Sequence, residues 1–356
     1  MEFYVLNEKF EDIGVLTEFE SFILTRRYYE PGKFELHVVP WKKKRIYELW
    51  NIFETGKYIC RSDNEDTYLI DHIHMNKQKN KIFAKGRTIE AILNNVVART
   101  QIDFSGTHEE IVRAMVEKYA IGNIKLLKLG KTNNIGKKTT VQVTGQYIGE
   151  KIFEIMKEVE ASIKIVYDYE TNTMTMCAWK GIDRTENQAV NTLAIFSTDE
   201  GKADLPIYDR DFTDYRNFAY IAGEGEGLAR TIITIDNRKV GEDMHEVWID
   251  ARDLQKGTMT DVEYKEALNQ RGVEKMTEYH AIETVDAEVE NTGNLVYRKD
   301  FDIGDLCTYR DEETGIEVEQ RITEVTEIYE KNTKSINIIF GEQKKTNTIK
   351  LMKGVI

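Results

Sequence analysis

The chain has 356 residues, 41% of them apolar and 31% charged, and a formal charge of −13. That length supports about two domains with a sizeable core, and the apolar and aromatic content excludes a disordered chain. The charge disfavours sequence-specific nucleic-acid binding, most of all in residues 241–330, which hold 25 Asp and Glu against 9 Lys and Arg.

Cys60, Cys177 and Cys307 are far apart and odd in number. That is the pattern of reduced thiols packed as small hydrophobes, not of a disulfide framework or a zinc site. No stretch approaches the roughly 18 apolar residues of a membrane span, and the opening MEFYVLNEKFEDIG lacks the basic and apolar regions of a secretion signal. The expectation is a soluble chain, made in a cytoplasm, not exported by the ordinary route and not inserted in a membrane. Pro31, Pro40 and Pro206 stand singly, so domains abut or share strands and are not separated by a proline-rich linker.

In chain order, FYVLNE, IGVLTEF, SFILTRRYY and FELHVV read as strands, with Pro31 and Gly32 at the centre of a type II turn. Ile46, Leu49, Trp50 and Phe53 then fall at i, i+3, i+4 and i+7, one apolar helical face that Gly56 can stop. Strands resume at KYICRS, TYLIDHIHMN and KIFAKGR, and a short helix follows from Thr88 to Val96. From residue 100 to about 200 the character changes. A capping box at Thr107 and Glu110 opens a helix towards Gly122, a second helix carries Ile148, Ile152, Ile155, Met156 and Val159, and SIKIVYDY and TMTMCAW form a hairpin. Beyond Leu205 strands dominate again, around one helix begun by a capping box at Thr260 and Glu263 and ended by Gly272.

Strands cluster here and do not alternate with helices, which predicts a β-rich α+β fold with barrel-like sheets at both ends. The expected division is a first β-barrel region over 1–99, an inserted α/β domain over 100–203, and a second β-barrel region with one helix over 204–356.

The segment YIAGEGEGLAR places Gly223, Gly225 and Gly227 at every second position. A phosphate loop is excluded, because Glu224 and Glu226 would repel phosphate and the following RTIITID reads as a strand where such a loop needs a helix. Bare backbone then serves a bulge or the close approach of another backbone. In EVWIDARD, Trp248, Asp250 and Arg252 share one strand face and Ile249, Ala251 and Asp253 the other, which suggests a structural carboxylate–guanidinium network that includes Arg230. His72 and His74 share a strand face without a third ligand nearby, and the KKKR run at 42–45 reads as the solvated end of a helix. There is no H-E-x-x-H, G-x-S-x-G or Walker loop, and no metal or cofactor is expected.

Nine stretches in order resemble one family: RRYYEPGKFELHVVP, KGRTIEAILNNVV, AIFSTD, NFAYIAGEGEGLAR, EVWIDARDL, YKEALNQRG, DFDIGDLCTYR, RITEVTEIYE and IIFGE. Together they are similar to siphovirus-type tail-tip hub proteins, the structural N-terminal part of tail-associated lysins, and to hubs of contractile tails and tail-like particles. The clearest matches are Gly223, Gly225, Gly227 and Arg230, then Asp250, Arg252 and Asp253, then Gly304 and Asp305. The resemblance implies two β-barrels per chain and a homotrimer whose six barrels adapt a sixfold tail tube to a threefold tip, with the three glycines at packed seams.

It also implies a place at the virion tail tip, beside the distal tail protein, tail tube and tape-measure protein, carrying a fibre, spike or lysin. DNA would only pass through, past a lumen whose acid repels it. The chain stops soon after FGE, where long lysins continue, so lytic activity is expected on another polypeptide and no enzyme is expected here. Two competing readings are a cell-wall hydrolase using Asp250 or Glu246 and a carbohydrate-binding module. The second is weakened because the aromatic residues fall mostly at core periodicities.

Overall fold

The computed structural model of the chain describes residues 1–39, 46–197, 204–289, 295–311, 313–330 and 333–341. Pro40 and the basic run at 42–45 lie outside the described residues.

Seven strands open the chain: β1 (Phe3–Leu6), β2 (Asp12–Leu16), β3 (Ser21–Arg27), β4 (Lys33–Val38), β5 (Tyr58–Arg61), β6 (Thr67–Asn76) and β7 (Lys81–Thr88), with helix α1 (Ile46–Thr55) between β4 and β5. Alternation decides their faces: on β4, Phe34, Leu36 and Val38 are buried while Lys33 is exposed. Gly56 follows α1 directly and donates its N–H to Ile52, as a helix stop does. The turn before β4 differs from expectation. Gly32 does not take the positive φ of a type II turn; its N–H donates to Thr88 Oγ1 (2.9 Å) and its carbonyl accepts from the Thr88 N–H (3.0 Å). The glycine is needed there because a Cβ would run into the Thr25 carbonyl.

A 3₁₀ turn (Ile89–Asn95) leads into the first insertion: β8 (Ile102–Thr107), α2 (His108–Met115), β9 (Leu127–Leu129), β10 (Lys138–Val143), α3 (Ile148–Lys157), β11 (Ser162–Asp168) and β12 (Thr173–Trp179). The capping box at Thr107 and Glu110 is formed in both directions. The insertion does not stand apart, because its core of Ile111, Met115, Ile152, Ile155 and Met176 is continuous with Leu6, Phe10 and Tyr58 of the first strands.

After β13 (Ile195–Ser197) and β14 (Asp204–Asp211) comes a second insertion: β15 (Phe218–Ala222), β16 (Ile232–Asp236), β17 (Glu246–Asp250) and α4 (Asp261–Met276). Its core is its own, with Ala219, Ile221, Ile235 and Ile249 packed on Tyr264, Ala267 and Leu268 of α4. Gly272 does not end α4, which runs four residues further to Met276. A Cβ on Gly272 would lie 2.5 Å from Ile235 Cδ1 and 2.6 Å from Ile221 Cγ1, so this glycine seats the helix on the sheet.

Among the described residues, four further strands follow: β18 (Ile282–Val289), β19 (Leu306–Asp311), β20 (Ile316–Glu330) and β21 (Thr333–Gly341). The principal sheet has the order β14-β18-β21-β20-β3-β4-β7-β6-β5-β1-β2, with β19 on β20 and β13 on β19. It carries two cores, one of Phe3, Phe22, Leu36, Tyr68 and Ile82, the other of Tyr28, Phe196, Phe301, Tyr309, Ile338 and Phe340. The 15-residue β20 serves both, pairing with β19 over its first part and with β21 and β3 over its second. The class is therefore α+β and β-rich.

Buried charge joins these cores. Glu327 on β20, fully buried, accepts from Arg298 at 2.6 Å and from Arg61 at 3.5 Å, and Arg298 also reaches Asp66 at 2.6 Å. Arg61 lies over the rings of Phe22 and Tyr329, Arg298 over that of Tyr297. Burial alone would raise the carboxyls of Glu327 and Asp66, but the guanidinium groups outweigh it and hold both below the ordinary range. A second polar contact joins the two insertions. Lys151 of α3 donates to Glu274 of α4 at 2.7 Å, and Thr139 donates to Gln270 at 2.6 Å. Gln270 in turn donates to Glu158, which faces His108 Nε2 at 3.2 Å. His108 Nδ1 lies 2.9 Å from the Lys137 carbonyl. A carbonyl only accepts, so Nδ1 carries a proton and the Nε2–Glu158 contact holds one more, on the imidazole or on the carboxyl. Burial, with Glu274 adding to it, raises the Glu158 carboxyl against the hydrogen bond from His108, and its Oε1 has no partner.

Candidate functional site

The residues singled out by sequence fall into two places. Gly223, Gly225, Gly227, Arg230, Asp250, Arg252 and Asp253 belong to the second insertion, whereas Gly304 and Asp305 lie in the second core of the principal sheet.

In the second insertion, β15 is central, antiparallel to β16 and parallel to β17, so Tyr220 has Thr234 on one side and Trp248 on the other. The hairpin from β15 to β16 carries the glycines. A Cβ on Gly223 would come within 2.5 Å of the Tyr264 hydroxyl, which accepts from the Glu224 N–H at 2.7 Å and donates to the Leu254 carbonyl at 3.1 Å. Gly225 has φ +107° and would press a Cβ to 2.7 Å from the Ala229 carbonyl. Gly227, at φ +53°, has open space around it. Two of the close approaches are thus made within this chain, and the third glycine lies at an open tip beside the fully exposed Leu228.

Arg230 closes the hairpin from outside. Its guanidinium donates to the carbonyls of Gly223 (2.9 Å) and Ala222 (2.8 Å), pairs with Asp250 (2.6 Å) and lies over Trp248 with 5.6 Å to the ring centroid. Arg252 grips the same carboxylate from its Nε at 2.9 and 3.0 Å. Hydrogen bonding from Arg252, with Arg230 adding to it, outweighs the opposing effect of burial and pushes the Asp250 carboxyl down to about 2. At neutral pH it is an anion with no proton to give to a leaving group. Asp253 instead reaches Arg271 of α4 at 2.7 Å.

Gly304 and Asp305 clip the return from the first insertion. Gly304 has φ +84°, where a Cβ would strike the Tyr28 ring. Asp305 is buried and accepts from the Ile182 N–H (2.8 Å), Arg184 Nε (2.7 Å) and the Asp302 N–H (3.0 Å).

His72 and His74 lie with His37 around Phe83 on the β4-β7-β6 face. Among the described residues no three His, Cys, Asp or Glu side chains are placed to hold a metal ion, and no helix is long and apolar enough to cross a membrane. The three thiols are free, with Cys60 and Cys307 buried, and burial pushes Cys60 up to about 11.

Of the aromatic residues of this sheet, only Trp248 was assigned a face from the sequence, that of Asp250 and Arg252. Phe218, Tyr220 and Trp248 all point away from α4, and the alternation in FAYIA and VWI is the signal that marks them as outward.

The whole chain can be compared with known proteins on this architecture. The family model for the siphovirus ReqiPepy6 Gp37-like protein matches residues 2–342. The chain belongs to this siphovirus tail protein family. Solved structures agree in fold. The prophage tail protein gp18 from Listeria monocytogenes EGD-e superimposes with TM-score 0.58 at 13% identity, covering 99% of this chain and 98% of that one. The 43 kDa tail protein of prophage MuSo2 from Shewanella oneidensis gives 0.57 at 11%, covering 96% and 98%. The tail protein from Neisseria meningitidis MC58 gives 0.56 at 11%, covering 96% of each. No curated protein sequence matches the Gp37-like chain. At these identities the structural likeness establishes the fold, and the family match establishes the class of phage tail protein.

Proposed function

We propose that this Gp37-like chain is a tail-tip or baseplate hub that works through shape repeated around an axis, without a bond-breaking step. The observation that carries the reading is the principal sheet with two cores sharing β20. Each core is taken as one barrel unit, so three chains supply six units to meet a sixfold tube and a threefold tip. In this reading the division at about residues 99 and 203 separates the first barrel region, the α/β insertion and the second barrel region. The partners are two further copies of the chain, the tail tube, distal tail and tape-measure proteins above, and a fibre, spike or lysin below. The acidic balance of residues 241–330 suits a conduit from which DNA phosphates gain no cationic contact.

The test is the mass of the purified protein in solution together with its stoichiometry in assembled particles. A trimer in solution, or a monomer that is threefold in the particle, supports the hub. A stable dimer absent from tail particles overturns it.

A further inference from the structure

The outward face of the β16-β15-β17 sheet forms a continuous ladder of rings and guanidinium groups. Arg238 lies over Phe218 (5.6 Å), Phe218 packs on Tyr220 (5.2 Å), Tyr220 on Trp248 (6.3 Å), and Arg230 covers Trp248 from the far corner (5.6 Å). Trp248 is 54% exposed although its neighbours Val247 and Ile249 pack on the α4 side. Ring edges and cations are fixed by acids at the rim: Asp236 holds Arg238 at 2.7 Å, Glu246 accepts from the Tyr220 hydroxyl at 2.9 Å, and Asp250 holds Arg230 and Arg252.

We propose that this face is a binding platform for neutral carbohydrate chains. The apolar C–H face of a sugar ring is slightly positive and stacks on the electron-rich face of an aromatic ring, while its hydroxyl edge needs both donors and acceptors. The platform offers both, because Asp236, Glu246 and Asp250 balance Arg230, Arg238 and Arg252 and each paired group keeps unused lone pairs or N–H groups. That near-balance, to which Glu226 beside Arg252 adds a further acid, leaves no excess of cation and selects the ligand class. A polyanion would face three carboxylates without excess cation, and a lipid surface would have to strip paired charges of water. Side chains already held in place lose little freedom on binding, which favours a flat ligand of modest size. The carbohydrate reading that aromatic periodicity argued against thus returns for three residues, and it stands independently of the hub reading.

The experiment uses the full chain on an array of neutral oligosaccharides and peptidoglycan glycan fragments, followed by titration of any retained sugar by tryptophan fluorescence. Binding is expected, with Trp248→Ala and Tyr220→Ala each weakening it about tenfold. Trp248→Phe should keep part of it, and Leu228→Ala at the hairpin tip should leave it unchanged. Thermal melting of each variant identifies loss of fold, and Trp248→Phe keeps the test decisive if the alanine variant melts early. Absence of binding to every sugar, or binding that survives all ring substitutions, overturns the proposal. So does a Trp248→Ala chain that loses self-association while the wild type binds no sugar, which would make this face a contact between copies.

Discussion

Two buried carboxylates, Glu327 between the cores of the principal sheet and Glu158 between the two insertions, reach opposite protonation preferences. Both are removed from water, which alone favours the neutral acid. Glu327 meets two guanidinium groups that cannot lose their protons, so its carboxyl is held low. For Glu158, burial, with the carboxylate of Glu274 nearby, outweighs the hydrogen bonds from an imidazole and an amide, so its carboxyl is raised. The lesson concerns partners: burial supplies the same push in both places, and the kind of cation available decides which way each site resolves. The first site is built to stay ionised, whereas the second shares a proton and responds to pH.

The sharpest way to break this contrast is Glu327→Ala. It removes an anion shared by Arg298 and Arg61, which keep Asp66 and Asp63 as partners, and should cost about 3 kcal/mol, read from the urea midpoint of the transition that reports the principal sheet.

Next in size is acid. Asp66 and Glu327 have lowered carboxyls when folded, so their stabilisation is complete above the ordinary carboxylate range and is lost as pH falls through their depressed values. Glu158 runs the other way: its raised carboxyl makes the contact between insertions most stable when protonated, and that stability declines as pH climbs out of the ordinary carboxylate range through the raised value. Hydrogen exchange followed from about pH 3 to pH 8 should show protection around β20 rising with pH and protection where α4 meets the first insertion falling. Parallel trends at both places would remove the distinction.

Lys151→Met tests the contact between insertions by its permanent charge. Lys151 is almost fully buried and Glu274 nearly so, and removing the 2.7 Å charged hydrogen bond, with only Arg271 at 3.8 Å left to face that carboxylate, should cost about 1.5 kcal/mol, measured as an earlier melting transition of the second insertion. The smallest effect is expected from Glu158→Gln, which keeps a donor for His108 without any titration. Stability should change by about 1 kcal/mol or less, and the pH trend at this contact should flatten while that around Glu327 persists.

Much of the framework was legible from local pattern. The capping boxes at Thr107 and Thr260 formed as read, because a cap depends on residues three apart. The strands of the first ninety or so residues were visible through alternation. What escaped depends on distant partners. Glu327 looks in RITEVTEIYE like any acid of an exposed strand face, and its burial is decided by Arg61, 266 residues earlier. Gly272 reads as a helix stop until Ile221 and Ile235 arrive from other strands to occupy the space above it. Around the glycine hairpin, Arg230 and Asp250 were foreseen as a pair and Trp248 as sharing the Asp250 face, but Phe218 and Tyr220 were not distinguished from core, since the same strands carry apolar residues on both faces.

The long strand β20 has a consequence for synthesis. Thr25 on β3 meets Thr326 on β20 across 301 residues of chain, so a ribosome exposes the edge of β3 long before its partner exists. That open edge invites foreign strands throughout translation. Rapid production should therefore favour clumped nascent chains over finished molecules, unless a chaperone shields the amino-terminal strands.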